Sequence, residues 1–202
     1  DNAQQDYFII YNPISGNGRG NQIIKIIEKV FTQFNKTYQI IRTEHARHAI
    51  EICKNLNFKL YKNIIAVGGD GTFNEIINGV LLNPLNDKIP TLGFLPGGTG
   101  NSFMHDLKAT NVNMALENIL KNREKMIDVM ELKYNNKTHY AFNIVGWGMA
   151  TDILKLSEKI RFLGGVRYNL ASLYYIFCKR ARNADISIEN KNENGKYLFI
   201  LN

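Results

Sequence analysis

Along the first 125 residues, apolar and polar positions follow two rhythms. Short, mainly apolar runs at Tyr7–Asn12, Ile64–Val67 and Thr91–Leu95 read as buried strands, and Thr37–Arg42 as a further short strand. Between them, apolar residues recur at helical spacing. Ile23, Ile24, Ile26, Ile27, Val30, Phe31 and Phe34 mark one helix over Gln22–Phe34. Others are predicted near His45–Asn55, in the stretch that carries Ile76, Ile77, Val80 and Leu81, near Ser102–Leu107 and over Asn111–Lys121. Strand and helix in alternation predict an α/β fold with a doubly wound, mostly parallel sheet and flanking helices. Near Arg123–Met126 the pattern changes. Met126–Tyr134 and Thr138–Trp147 read as strands around an Asn135-Asn136-Lys137 turn. Helical stretches follow near Thr151–Lys159 and Val166–Arg182, then strands at Asp185–Glu189 and Lys196–Leu201 around a polar loop with Asn194-Gly195. This predicts a nucleotide-binding α/β domain over residues 1–125 and the start of a β-rich second domain over 126–202.

Three of the strand ends run into glycine-rich loops that lead to helices. These are Asn12-Pro13-Ile14-Ser15-Gly16-Asn17-Gly18, Gly68-Gly69-Asp70-Gly71-Thr72 and Pro96-Gly97-Gly98-Thr99-Gly100-Asn101. Glycine lets backbone approach a phosphate, and the first N–H groups and dipole of a helix point at it. None of the three is a GxGxxG or Walker A motif, and each alone is readable as a turn. Together, at the carboxyl ends of parallel strands, they predict a nucleotide site. Asp70 beside a phosphate calls for a bridging cation, economically Mg²⁺; the plain alternative is a capping acid.

Composition narrows the classes. The chain is 45% hydrophobic and 21% charged, enough to bury a core, and no apolar run is long enough to span a bilayer. The N-terminus lacks the basic-then-apolar order of a signal peptide. A net charge of +7 suggests an anionic partner, a nucleotide or an anionic membrane face. Nucleic acid is set aside, since the cations are scattered and no recognition motif is present. Cys53 and Cys178, with no CxxC spacing, predict buried reduced thiols in a cytosolic protein. His45 and His48 lie three apart with no third metal ligand in view, so exposed or capping histidines are the default.

The loops NPISGNG, GGDGTFNEIING and LPGGTGN, in this order, resemble the catalytic domain of the diacylglycerol kinase family, which also includes bacterial lipid kinases, sphingosine kinases and ceramide kinases. The resemblance continues through Thr43 with His48-Ala49, Ile127-Asp128, GWGMATD at Gly146–Asp152 and SEKIRFLGGVRY at Ser157–Tyr168. It implies an NAD kinase/lipid kinase-like fold and ATP-dependent phosphorylation of a lipid hydroxyl, with diacylglycerol or a similar lipid as acceptor. Sphingosine- or ceramide-type kinase, an NAD kinase-like soluble kinase and a non-catalytic nucleotide-binding fragment are the alternatives. The nucleotide would be lined by Asn12, Ser15, Gly16, Thr43, Gly68, Gly69, Asp70, Gly71, Thr72, Glu75, Gly98, Thr99 and Asn101, with Arg161 and Arg167 reaching its phosphates. Asp70 would serve the phosphate and Mg²⁺ end, through water or phosphate.

Two departures from the family pattern matter. The expected general base is an Asp in a late Asp-Gly pair, whereas the only Asp-Gly here is Asp70-Gly71. The chain is therefore expected to stop short of its base, in the middle of a strand, and to be inactive alone. Leu154 stands where sphingosine kinases place a carboxylate for the lipid amine, which favours a neutral acceptor. The expected setting is cytoplasmic with peripheral membrane association and room for a homodimer. Leu170–Cys178 is expected to be a helix packed between domains rather than an interfacial one, and Trp147 a core residue.

Overall fold

The computed structural model describes residues 4–85, 88–98, 102–143, 145–178, 181–188, 191–197 and 199–201. The chain forms two compact units, Asp1–Phe142 and Asn143–Asn202.

In the first unit the order is β1 (Gln5–Tyr11), α1 (Arg19–Gln33), β2 (Tyr38–Arg42), α2 (His48–Asn55), β3 (Tyr61–Gly68), α3 (Asp70–Leu81), β4 (Thr91–Pro96), α4 (Ser102–Asp106), α5 (Val112–Leu120), β5 (Met130–Tyr134) and β6 (Lys137–Ala141). β1 to β4 make one parallel sheet in the order β2-β1-β3-β4. Helices cover its faces, which is why the central strands carry consecutive apolar residues, Tyr7–Tyr11 and Ile64–Val67, rather than alternating ones. Ile9, Ile10, Ile64, Ile65, Ala66 and Val67 are all fully buried. Phe31 and Ile27 of α1 and Phe73 and Ile76 of α3 join the same core; each such side chain contributes about 1.5–3 kcal/mol through burial. The fold class read from the sequence is therefore the observed one.

The chain steps from β1 outward to β2, then returns across β1 to β3. The strand order thus reverses between β1 and β3, the place where open α/β sheets leave a crevice for ligands. The loops after β1 and β3 flank that crevice.

Local chemistry sets the helix starts. Gly18 (φ +88°) precedes α1, and the Asn111 side chain caps α5 by accepting the Met114 N–H at 2.9 Å. α2 begins at His48, three residues later than expected, because Arg47 adopts the left-handed conformation (φ 67°). Gly79 lets α3 lie close on α2, since a Cβ there would meet Cys53 Cβ at 2.6 Å and Ile50 O at 2.7 Å.

The predicted hairpin turn is present, with Asn135 and Asn136 at φ 47° and 57°. The strand expected over Thr138–Trp147 is divided, ending at Ala141 and resuming at Gly146. β6 is fastened to α3 by a buried side chain. Asn78 is 1% exposed; its Nδ2 donates to Tyr140 O at 2.8 Å and its Oδ1 accepts the Tyr140 N–H at 2.8 Å. Asn74 Nδ2 adds a third bond to Tyr140 O at 3.3 Å. The amide of Asn78 thus pairs with β6 as a neighbouring strand would. The β5–β6 hairpin belongs to the first compact unit, which runs to Phe142; the boundary expected from the sequence lies near Arg123–Met126.

The second unit contains β7 (Gly146–Gly148), α6 (Met149–Lys159), α7 (Val166–Phe177), β8 (Arg182–Ile188), β9 (Lys191–Tyr197) and β10 (Phe199–Leu201). β7 pairs antiparallel with β10, and β8 with β9. Asn194-Gly195, expected in a loop, lies within β9. α7 ends at Phe177 rather than Arg182; its Ala171 is fully buried, while Leu170, Leu173, Tyr174 and Phe177 are exposed. The Trp147 side chain lies outside the described residues. Among the described residues, no helix is long and apolar enough to cross a membrane.

The cysteines part company. Cys53 is buried as expected, and burial pushes its thiol pKa up to about 12, whereas Cys178 is exposed. A thiolate is the reactive form. At pH 8 a disulfide reagent is expected to titrate one thiol rapidly and a second only on unfolding; two rapid equivalents would contradict the burial of Cys53.

Candidate functional site

The first glycine loop begins as an extension of the sheet. The Asn12 N–H donates to Val67 O at 3.0 Å, and the Asn12 Oδ1 accepts the Ile14 N–H at 3.1 Å, closing an Asx turn. Ser15 N–H then returns to Asn12 O at 3.2 Å. Gly16 has φ +56°, and a Cβ on it would fall 2.1 Å from Gly97 O, so the first and third loops touch backbone to backbone.

The second loop lies between them. Gly68 O accepts the N–H groups of Gly97 at 2.7 Å and Gly98 at 3.1 Å, continuing the β3–β4 ladder into the loops. A Cβ on Gly69 would lie 3.3 Å from Gly98 Cα and 3.9 Å from Ser15 Oγ. One on Gly68 would strike the Thr72 side chain, at 2.5 Å from Oγ1. Asp70 opens α3, and its Oδ1 accepts the Phe103 N–H at 3.3 Å. The described parts of the three predicted loops thus converge at the strand ends, beside the starts of α1 and α3. Two long helices with their N-termini at one crevice make it electropositive and rich in N–H donors.

Thr43 and Glu75 form another part of the site. Thr43 is buried, its N–H donating to Tyr11 O at 2.8 Å. Glu75 Oε1 accepts the Arg47 N–H at 3.0 Å, which ties the loop after β2 to the first turns of α3. A Cβ on Gly71 would meet no protein atom within 4 Å, so this glycine is not required by contact between the loops. Thr99 and Asn101 lie outside the described residues.

Of the two arginines, the Arg161 side chain lies outside the described residues. Arg167 sits in the second unit, where a terminal nitrogen is 3.6 Å from Glu158 Oε1 and 2.9 Å from Tyr168 Oη. Its buried Nε has no hydrogen-bond acceptor among the described residues. Gly97, not among the residues expected to line the nucleotide, ties the third loop to the second through its N–H on Gly68 O and lies close against Gly16 of the first; its place in the Pro-Gly-Gly run was the available signal.

The donor set suits a phosphorylated ligand and a hard cation. Glycine backbone lines the crevice, and Asp70 places a carboxylate at a helix N-terminus, oxygen chemistry that Mg²⁺ prefers. A cleft of about 700 Å³ lies elsewhere in the first unit, against β4, lined by Phe94, Phe103, Met104, Leu107 and Ile127 among others. None of the described residues of the three glycine loops lines it.

Residues 6–132 match the family model for the diacylglycerol kinase catalytic domain. The chain belongs to that family. It is 31% identical to mouse ceramide kinase over 182 residues, covering 82% of this chain and 34% of that protein. It is 29% identical to a Bacillus subtilis diacylglycerol kinase over 197 residues, covering 96% of this chain and 63% of that one. Among solved structures, a diacylglycerol kinase from Bacillus anthracis superposes with a TM-score of 0.72 at 25% identity, covering 98% of this chain and 63% of that chain. A putative diacylglycerol kinase from the same organism gives a TM-score of 0.75 at 23% identity and carries the likeness of fold. The chain thus spans about a third to two thirds of the length of these family members.

Proposed function

We propose that this chain is the nucleotide-binding part of a lipid kinase that transfers the γ-phosphate of ATP to a lipid hydroxyl, with diacylglycerol or a similar neutral lipid as acceptor. The observation that carries this is the backbone-to-backbone convergence of the glycine loops at the strand-order reversal between β1 and β3. Phosphoryl transfer is mainly positioning and charge neutralisation. The amides of the loops after β1, β3 and β4 would hold the phosphates, and the starts of α1 and α3 would favour their charge. Asn12, Ser15, Thr43 and Glu75 would flank the nucleotide, and Thr99, Asn101, Arg161 and Arg167 would complete its surroundings. Asp70 would serve Mg²⁺ through water or phosphate, and the ion would neutralise charge on the transferring phosphate. Asp70 is given this role rather than that of general base.

Leu154, exposed on α6, supports a neutral acceptor over a charged sphingoid base. Ceramide is the second acceptor to test, because mouse ceramide kinase is among the most similar relatives. The enzyme would meet its lipid as a peripheral protein at the cytoplasmic membrane face, a setting with which the +7 charge agrees.

The test is a transfer assay with γ-labelled ATP and the full-length protein, offering diacylglycerol, ceramide, sphingosine and NAD in parallel. Label in the phosphorylated neutral lipid is expected. Label in NAD alone would select a soluble-metabolite kinase, and ATP binding without any transfer a non-catalytic module. Asp70→Asn is expected to lower kcat/KM by about 10²-fold or more, the scale of losing several kcal/mol of metal-assisted charge stabilisation. Unchanged turnover in that variant would remove Asp70 from the phosphate end.

A further inference from the structure

We propose that His45, His48 and Glu51 form a surface site for a borderline divalent transition metal such as Zn²⁺. The sequence offers the two histidines without a third ligand, and the fold supplies one. His48 and Glu51 lie three apart in the first turn of α2, on one side of the helix. The left-handed Arg47 turns the preceding chain so that His45 stacks on His48, with ring centroids 4.5 Å apart and planes 16° from parallel. One donor atom from each of the three side chains lies within 4.8 Å of the others. Ligands on a tetrahedral zinc are roughly 3.4 Å apart, given bonds of about 2.0–2.1 Å. Rotation of the exposed His45 and Glu51 side chains can close that gap, leaving the fourth position to water.

Backbone contacts already govern both rings. His45 Nδ1 lies 3.0 Å from Ala46 O; donating there, it leaves the Nε2 lone pair for a metal, as outer-shell carbonyls do for ligating histidines. His48 Nδ1 accepts the Glu44 N–H at 3.1 Å, so in the neutral ring the proton is on Nε2. A metal at Nε2 requires that proton to move to Nδ1, and a metal at Nδ1 displaces the amide directly. In either case Glu44 loses its acceptor, which gives the site a specific signature. Two imidazoles and one carboxylate suit Zn²⁺, Co²⁺, Ni²⁺ or Cu²⁺, whereas Mg²⁺ favours an all-oxygen octahedron. The site is therefore separate from any Mg²⁺ carried by a nucleotide. Arg47 lies between two of the ligands and holds Glu75, so the metal would stiffen the loop bordering the crevice. Binding itself does not depend on the nucleotide reading.

The experiment is calorimetric titration of the intact chain with Zn²⁺ in excess Mg²⁺, with ¹⁵N spectra recorded at each point. One saturable equivalent is expected, accompanied by a shift of the Glu44 amide. His45→Ala and Glu51→Gln, which leave the Glu44–His48 contact in place, are each expected to weaken binding at least about 10-fold, the lower end of what loss of a mere outer-shell partner costs. Cys178→Ser, His105→Ala and His139→Ala are expected to change nothing. The proposal is overturned by absence of saturable binding, by undiminished binding in either ligand variant, by an unmoved Glu44 amide, or by loss of binding in a control.

Discussion

Gly16→Ala is expected to weaken ATP binding by about 10²-fold or more. The added Cβ would lie 2.1 Å from Gly97 O, so the first and third loops must separate by more than an ångström to admit it. Neither partner can rotate away, because both are main chain. A misplacement of about 1 Å in a phosphate-positioning frame costs on the order of 10²-fold, and the residue would also carry the left-handed penalty at φ +56°, about 1–2 kcal/mol. Gly71→Ala, one loop away, is the comparison. Its Cβ meets no protein atom within 4 Å, so the loops stay joined and Tm should stay near the parent value, and any loss of binding there reads crowding of the nucleotide itself. Titration with a fluorescent ATP analogue measures both, with thermal unfolding recorded alongside to separate a lost site from a lost fold. Parent-like affinity in Gly16→Ala would show that the loops do not act as one cradle.

Asn78→Leu is expected to destabilise the first unit markedly although it leaves the apolar core intact. It keeps the side-chain volume but removes the acceptor of the Tyr140 N–H and the shorter of two donors to Tyr140 O. A buried polar group left unpaired costs about 1–3 kcal/mol. With two affected groups the loss is about 2–4 kcal/mol, or roughly 5–15 °C in Tm for a chain of this size. The damage should be local first. Amide exchange at Tyr140 and through the β5–β6 hairpin is expected to accelerate more than exchange in β1 or β3. An unchanged urea midpoint with a protected hairpin would mean that β6 is held by other contacts.

The parallel sheet was legible because its strands are short, continuous apolar runs and its glycine loops repeat at their ends; periodicity at this strength survives tertiary context. The family was legible for the same reason, since the loops keep their order and spacing. What could not be read was set by single residues acting at long range. Nothing local in the Asn78 stretch tells that its amide will pair with Tyr140, sixty-two positions away, and this pairing carries the hairpin into the first unit. The left-handed Arg47 shortened α2 and brought His45 beside His48 and Glu51, and arginine gives no sign of that conformation. In the second unit, β9 ran through Asn194-Gly195, a dipeptide that in isolation favours a turn. Within the site, the sequence named glycines but not which of them are irreplaceable. That distinction depends on what each absent Cβ would strike, as Gly16 and Gly71 illustrate.

The carbonyl of Gly68 accepts two amides, from Gly97 and Gly98. The third loop is therefore the last rung of the β3–β4 ladder, and thermal fraying of the sheet end and opening of the crevice are one motion. A protein built this way should sense its ligand through the exchange rate of a few sheet-end amides. Phosphate bound across the loops would slow fraying at Gly97 and Gly98, while the centre of the sheet, already saturated in protection, would register nothing.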